Sequence, residues 1–268
     1  MRPILSAEEF DAPWGSVDLL TLPGADADPY LVGFAHSDAS VDRALRLRYE
    51  VFNLELNEGL AASEATGLDR DEYDAQMTHL ILIERETNLV VGTYRIQTVE
   101  HAMKHLGLYS AIEYDMSGLA PYFDTSIELG RACLAVEHRS MRAIICLWQG
   151  IGAYLNLFGL HHMFGCCSLT TTDPDDGWRA LKTLRAQDVL HESVCLPALT
   201  GNSCGESSRG SDPDLGEALA LPKLFRTYLR LGAKVVSEPA IDHDFGTVDF
   251  LILLDARIVT FSQLDIVK

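Results

Sequence analysis

Charge stands where a strand should be dry in Glu128-Leu129-Gly130-Arg131-Ala132-Cys133-Leu134, which runs into Glu137-His138-Arg139-Ser140 and then an apolar stretch. An isolated buried charge is costly unless it is paired or used, so these residues are either a structural pair or a reactive one. Three other charged groups sit in equally apolar settings: Arg48 within a helical stripe, the acidic knot Asp71-Glu72-Tyr73-Asp74, and Arg95 at the end of a strand. A carboxylate such as Glu128 can take a proton from a nucleophile directly or through water, which is general-base chemistry. In a regular strand Glu128 and Arg131 would point to opposite faces, so joint action requires a bulge near Gly130.

A second constellation lies where Leu134 gives way to a helix beginning near Ser140. A helix start offers unpaired backbone N–H groups and a positive dipole end that suit one phosphate, and Arg139 and Arg142 stand beside it. Ordinary basic residues on a surface helix are the alternative. The His161-His162 and Cys166-Cys167 pairs are of zinc-ligand type, but adjacent strand residues face opposite ways and chelate poorly, so no metal is expected. None of the six cysteines has elbow glycines around it. Gly-x-Gly-x-x-Gly and the lysine-bearing phosphate loop are both missing, which removes the main support for nicotinamide or nucleotide triphosphate binding.

The elements that must position these groups can be read in outline. A chain of 268 residues with 47% hydrophobic content can bury a sizeable core. Its 39 acidic against 21 basic residues give a formal charge of −18, which repels nucleic acid and anionic bilayers, so no nucleic-acid partner is expected. Cysteines scattered through apolar segments, with no signal-like N-terminus, suggest a reduced cytoplasmic setting, and membrane contact would be peripheral, at the inner membrane. Residues 1–33, with Pro3, Pro13, Pro23 and Pro29, read as an irregular N-terminal arm, and 34–268 as a single domain. Val41, Leu45, Arg48 and Phe52 recur at helical spacing behind Ser40 as a cap. Thr78–Glu84 and Leu89–Ile96 read as a hairpin closed by Arg85–Asn88. A strand over Ile127–Leu134 leads to a helix over Ser140–Phe158 that Gly159 closes, then to a strand over Leu160–Leu169. Asp173-Pro174-Asp175-Asp176 starts a helix. Thr200–Gly216 is a mobile Gly/Ser-rich loop, a helix follows Pro222, and Lys234–Ser237 and Thr247–Leu254 are the last strands.

The order Arg48-Tyr49-Glu50-Val51-Phe52, Asp71-Glu72-Tyr73-Asp74, Val91-Gly92-Thr93-Tyr94-Arg95, Glu128-Leu129-Gly130-Arg131 and Leu147-Trp148-Gln149-Gly150-Ile151 resembles bacterial N-acyltransferases of the ornithine-lipid type. Phe164–Leu169 and Tyr228–Ala233 continue the resemblance, which spans Val41 to Asp255. The more distant autoinducer synthases and N-acyl amino acid synthases share the charged skeleton. The resemblance implies an α/β fold of the GNAT acetyltransferase type, with a mixed, mostly antiparallel sheet flanked by helices. It implies transfer of a 3-hydroxyacyl chain from acyl carrier protein to the α-amine of ornithine, giving a lyso-lipid. Glu128 and Arg131 would be catalytic, and Arg48, Phe52, Asp71, Asp74 and Arg95 would bind substrate. His138-Arg139-Ser140-Met141-Arg142 replaces the usual glycine-rich pyrophosphate loop and suits the single phosphate of a carrier-bound phosphopantetheine, so Arg139, Ser140 and Arg142 would dock the donor. No cofactor is bound; the acyl-phosphopantetheine is itself a substrate. Glycine or another amino acid as acceptor, an acyl-homoserine-lactone-type synthase, and a non-catalytic acyl- or carrier-binding module are the alternatives.

Overall fold

The structure, a computed structural model, describes residues 4–5, 17–20, 28–206, 216–217 and 219–259. In chain order the strands are β1 (Ile4–Leu5), β2 (Val17–Leu20), β3 (Tyr30–Ala35), β4 (Thr78–Glu84), β5 (Val90–Thr98), β6 (Ser126–Leu134), β7 (His162–Leu169), β8 (Lys234–Val235), β9 (Ala240–Asp242) and β10 (Thr247–Asp255). The α-helices are α1 (Asp38–Tyr49), α2 (Val99–Met103), α3 (Met141–Phe158), α4 (Pro174–Ala186) and α5 (Lys223–Arg230). Strand pairing is antiparallel throughout the registers described except for β6 with β7, so the sheet is mixed and mostly antiparallel. The chain divides into two compact units, residues 1–97 with 129–160 and residues 98–128 with 161–268, and β6 passes from one to the other after Glu128.

The first unit runs β1-β2-β3-β4-β5 and then the second part of β6. Tyr30–Ala35 and Val17–Leu20 are strands, where the prolines alone suggested irregular chain. The stretch Tyr-Leu-Val-Gly-Phe-Ala is almost continuously apolar because both faces of β3 are covered, so the alternation that marks a half-exposed strand is missing. The β4–β5 hairpin pairs Thr78 with Ile96 through Leu82 with Gly92, and Asn88 takes a left-handed φ of 62° in its turn. The cap of α1 is Ser37, three residues earlier than Ser40; the two serines form a reciprocal capping box. Past Tyr49 the chain widens into a π-helical turn over Glu50–Glu55, which carries the buried Phe52. Leu31, Ala35, Ala44, Ile81 and Ile83 form a core under α1.

On the other side of this sheet α3 packs against β3 and β4. Ser140 caps it by accepting from the Ala143 N–H at 3.2 Å, and Gly159 closes it in the left-handed conformation at φ 68°. Gly150 lies where α3 crosses the sheet, and a Cβ there would come within 2.6 Å of Leu80 and 3.1 Å of Val32.

In the second unit β7 pairs with β10 along its whole length, β10 carries β8 and β9, and β6 joins β7 in parallel over Ser126–Glu128. Val99, Leu108, Tyr114, Phe164, Leu196, Val236 and Leu251 are among the residues of its core. Asp173 caps α4 with Pro174 in the first turn, as the acidic start suggested. The strand expected over Lys234–Ser237 is only Lys234–Val235, with β9 added before β10. Of the expected Thr200–Gly216 loop, residues 207–215 lie outside the described ones; within the rest, Ser203 bridges Ala240 and Cys204 is buried.

The tight crossing of α3 predicts that Gly150→Leu lowers stability by about 1–3 kcal/mol through overpacking, read as a fall in thermal midpoint, whereas Gly152→Ala, where a Cβ would meet nothing within 4 Å, leaves it unchanged or higher.

Candidate active site

The charged residues of the first unit assemble into one buried network of three arginines and three aspartates. Arg48 reaches it from α1, Arg95 from β5 and Arg131 from β6, while the aspartates come from the segment between the π-helical turn and β4. Arg48 donates through Nε to Asp69 Oδ2 at 2.7 Å and through Nη1 and Nη2 to the two oxygens of Asp74 at 2.6 and 3.2 Å. Arg95 Nη1 bonds Asp71 Oδ1 at 2.5 Å and Asp74 Oδ1 at 3.0 Å. Arg131 Nη2 donates to Asp71 Oδ2 at 3.1 Å, and its Nε lies 3.4 Å from Asp69 Oδ2. Asp71 also caps a 3₁₀ turn over Glu72–Ala75 in a reciprocal box with Asp74, which fixes the acidic knot in one conformation.

The electrostatics follow from burial and pairing. The side chains of Arg48, Asp69 and Asp74 are fully buried. Burial alone would raise the Asp74 carboxyl, but Arg48 and Arg95 hold it well below the ordinary carboxylate range. Burial likewise works against the Arg48 charge, and Asp74 and Asp69 outweigh it, so the guanidinium holds its proton more tightly than usual. His79, buried beside Asp74 with Nε2 3.1 Å from the Asp74 carbonyl oxygen, has its ring pushed below the usual imidazole range by desolvation, against the pull of Asp74. Asp71 and Arg131 are the network members with appreciable exposure, 14% and 7% of their side chains.

Glu128, 1% exposed, belongs to the second unit. Its Oε2 accepts from the Tyr109 N–H at 3.0 Å, and its Oε1 from the Ser110 N–H and hydroxyl, each at 2.7 Å. The backbone irregularity needed between Glu128 and Arg131 is present, with Arg131 itself at a left-handed φ of 49°. The parallel pairing of β6 with β7 extends only to Glu128 opposite Phe164.

The residues expected at the helix start all carry partners. Ser140 is the α3 cap, Arg139 forms a two-pronged pair with Glu55 at 2.5 and 2.6 Å, and Arg142 is paired with Asp28. Phe52 is buried in the π-helical turn and Lys234 donates to the Asp188 carbonyl.

Sequence reasoning missed Asp69, Tyr109 and Ser110. Asp69 stands two positions before Asp71, and that Asp-x-Asp spacing was its only signal; nothing local marks Tyr109 or Ser110. Cys166 lies close to the buried Glu113 and Asp249, their ligand-type atoms within 4.8 Å of one another, and not in a histidine–cysteine site. Burial and the neighbouring acids push its thiol far up, so it stays protonated at neutral pH. Among the described residues no helix is long and apolar enough to cross a membrane.

A hairpin, a strand bearing the buried glutamate, a capped helix and a parallel return strand define a GNAT-type N-acyltransferase, and a family model described as an acetyltransferase (GNAT) domain matches residues 47–149. A solved N-acyl amino acid synthase from uncultured soil microbes shares the fold, with a TM-score of 0.51 and 12% identity over 89% of this chain and 98% of that one. The L-ornithine N(alpha)-acyltransferase of Agrobacterium fabrum is 32% identical over 232 residues, 82% of this chain and 78% of that protein. That of Brucella abortus is 33% identical over 239 residues, 83% of each. The chain belongs to the L-ornithine N(alpha)-acyltransferase family.

Two predictions follow from the network. Arg48→Met removes the two-pronged partner of Asp74 and the hydrogen-bonded partner of Asp69, leaving the network one positive charge short in a dry interior, and should lower stability by about 3–5 kcal/mol in denaturant unfolding; a loss below about 1 kcal/mol, the level of an exposed pair, would contradict the buried network. The depressed His79 ring stabilises the fold above the unfolded imidazole value of about 6.5, and that contribution is lost as pH falls below it. The thermal midpoint of wild type should therefore drop more steeply than that of His79→Gln between pH 7.5 and 5, and parallel curves would refute this.

Proposed function

We propose that the protein transfers a 3-hydroxyacyl chain from acyl carrier protein to the α-amine of ornithine, producing a lyso-aminolipid. The activity for which the relatives are named supports ornithine as acceptor, and the observation that carries the mechanism is Glu128, a dry carboxylate held by three donors from Tyr109 and Ser110.

In this reading Glu128 accepts a proton from the α-ammonium, directly or through water, and frees the amine to attack the thioester carbonyl. The C–N bond forms, a backbone N–H near the end of the β6–β7 pairing holds the oxyanion, and the C–S bond then breaks. The phosphopantetheine sulfur leaves and takes up a proton, so amide and free carrier thiol are the products. Arg131 orients the substrate, supported by Asp71, while Arg95 and Asp74 bond Asp71, Arg48 holds Asp74, and Phe52 binds substrate. This amends direct substrate binding by Arg48, Asp74 and Arg95, whose burial favours support.

The donor's phosphate would be taken at Arg139, Ser140 and Arg142, the two arginines exchanging their Glu55 and Asp28 carboxylates for it on a chain of net charge −18. No resident cofactor enters the scheme. The work would be done in the cytoplasm, with contact to the inner membrane at most peripheral.

Expression in a bacterial host that lacks ornithine lipids, followed by lipid extraction and mass spectrometry, should yield N-(3-hydroxyacyl)ornithine; acylated glycine or another amino acid in its place would move the acceptor, and no acylated amine at all would defeat the reading. Glu128→Gln should lower single-turnover acyl transfer by roughly two to four orders of magnitude. Near-normal transfer by this variant at neutral and high pH alike would remove Glu128 as the base.

A further inference from the structure

We propose that Asp69 is a positioning residue for Arg131, an inference that rests on the reading of Arg131 as the substrate-orienting group. Asp69 cannot touch substrate itself, since its side chain is wholly buried and its backbone N–H is tied to the Leu45 carbonyl of α1 at 3.0 Å. Its Oδ2 lies between two arginines, 2.7 Å from Arg48 Nε and 3.4 Å from Arg131 Nε, while Oδ1 has no hydrogen-bond partner. Its contacts with both arginines therefore run through one oxygen.

The two arginines depend on that oxygen unequally. Arg48 keeps a two-pronged pair with Asp74 whether or not Asp69 is charged. Arg131 donates through Nη2 to Asp71, an aspartate it shares with Arg95, and its Nε faces the Asp69 carboxylate at 3.4 Å, an ion-pair contact and not a hydrogen bond. The bond to Asp71 holds the place of the guanidinium, and the negative charge of Asp69 facing a different nitrogen favours one orientation of its plane. The Arg131 backbone supplies an independent sign of constraint: a left-handed φ of 49° is unfavourable for a non-glycine residue and persists where its surroundings hold it. Asp69 also completes the balance of three positive and three negative groups, so the network carries no net charge into the interior.

Asp69→Asn is a small change: the amide oxygen can occupy the Oδ2 position and the NH2 group that of the unpartnered Oδ1, so only the charge is removed. Release of carrier thiol from 3-hydroxyacyl carrier protein in the presence of ornithine should fall roughly 10- to 100-fold in kcat, the scale of a misplaced group. In an Arg131→Gln background the same substitution should cost no further activity while still lowering the thermal midpoint. An equal loss of kcat in both backgrounds would make Asp69 merely structural and overturn the inference while sparing Arg131; wild-type turnover in Arg131→Gln alone would remove the reading of Arg131 and the inference with it. Should Asp69→Asn fail to fold, the comparison is made on the charge-balanced pair Arg48→Met with Asp69→Asn, with and without Arg131→Gln. An activity-independent measurement decides the positioning directly: the side-chain Nε–Hε resonance of Arg131, assigned by its loss in Arg131→Gln, should be protected from solvent exchange in wild type by burial, 7% of the side chain being exposed, and should lose that protection in Asp69→Asn as the charge that holds the guanidinium inward is removed. Unchanged protection would overturn the proposal.

Discussion

The first unit depends on removing six charges from water at once. Each of Arg48, Arg95, Arg131, Asp69, Asp71 and Asp74 would be costly alone, and burial is tolerated because each finds oppositely charged partners at hydrogen-bond or close ion-pair distance. That requirement ties together elements far apart in sequence. Helix α1 must present Arg48 inward, the acidic turn must be capped in one conformation, and β5 and β6 must deliver their arginines to the same spot. Only then does the arginine nearest the surface acquire a fixed direction. The burial that makes the arrangement expensive also makes it specific, since a slip of one residue in any contributing element leaves a charge unmatched.

Glu128 is held by different means. No arginine is among the three donors described for it; two backbone N–H groups and a serine hydroxyl face its oxygens. Those three donors fix the direction of its carboxylate. Asp74, by contrast, is locked by two guanidiniums that hold its carboxyl well below the ordinary carboxylate range.

Much of this was legible in the residues. The hairpin, the Ser140 cap, the Gly159 stop and the Asp173-Pro174 start are local chemistry, and local chemistry is written in adjacent letters. The out-of-place arginines were also visible, because charge inside an apolar period is a conflict that only tertiary pairing resolves. What escaped was set by partners distant in sequence. Strand β3 lacks alternation because both of its faces are covered, Asp69 looks like any loop aspartate until Arg131 arrives beside it, and Ser110 gains meaning only from a glutamate 18 residues on. The shift of the α1 cap from Ser40 to Ser37 has a similar cause: both serines take part in one box, and sequence alone does not say which leads.

The two-pronged pair of Arg139 with Glu55 changes how an incoming anion must be thought of. A phosphate reaching that guanidinium does not meet a vacant cation; it exchanges for a carboxylate already seated there. Binding there would be a competition between two anions for one fork. Added salt weakens both pairings together, so the exchange should respond to ionic strength far less than simple charge attraction would. A surface with few cations can in this way keep its basic residues from capturing stray anions and still yield them to a ligand that brings other contacts of its own.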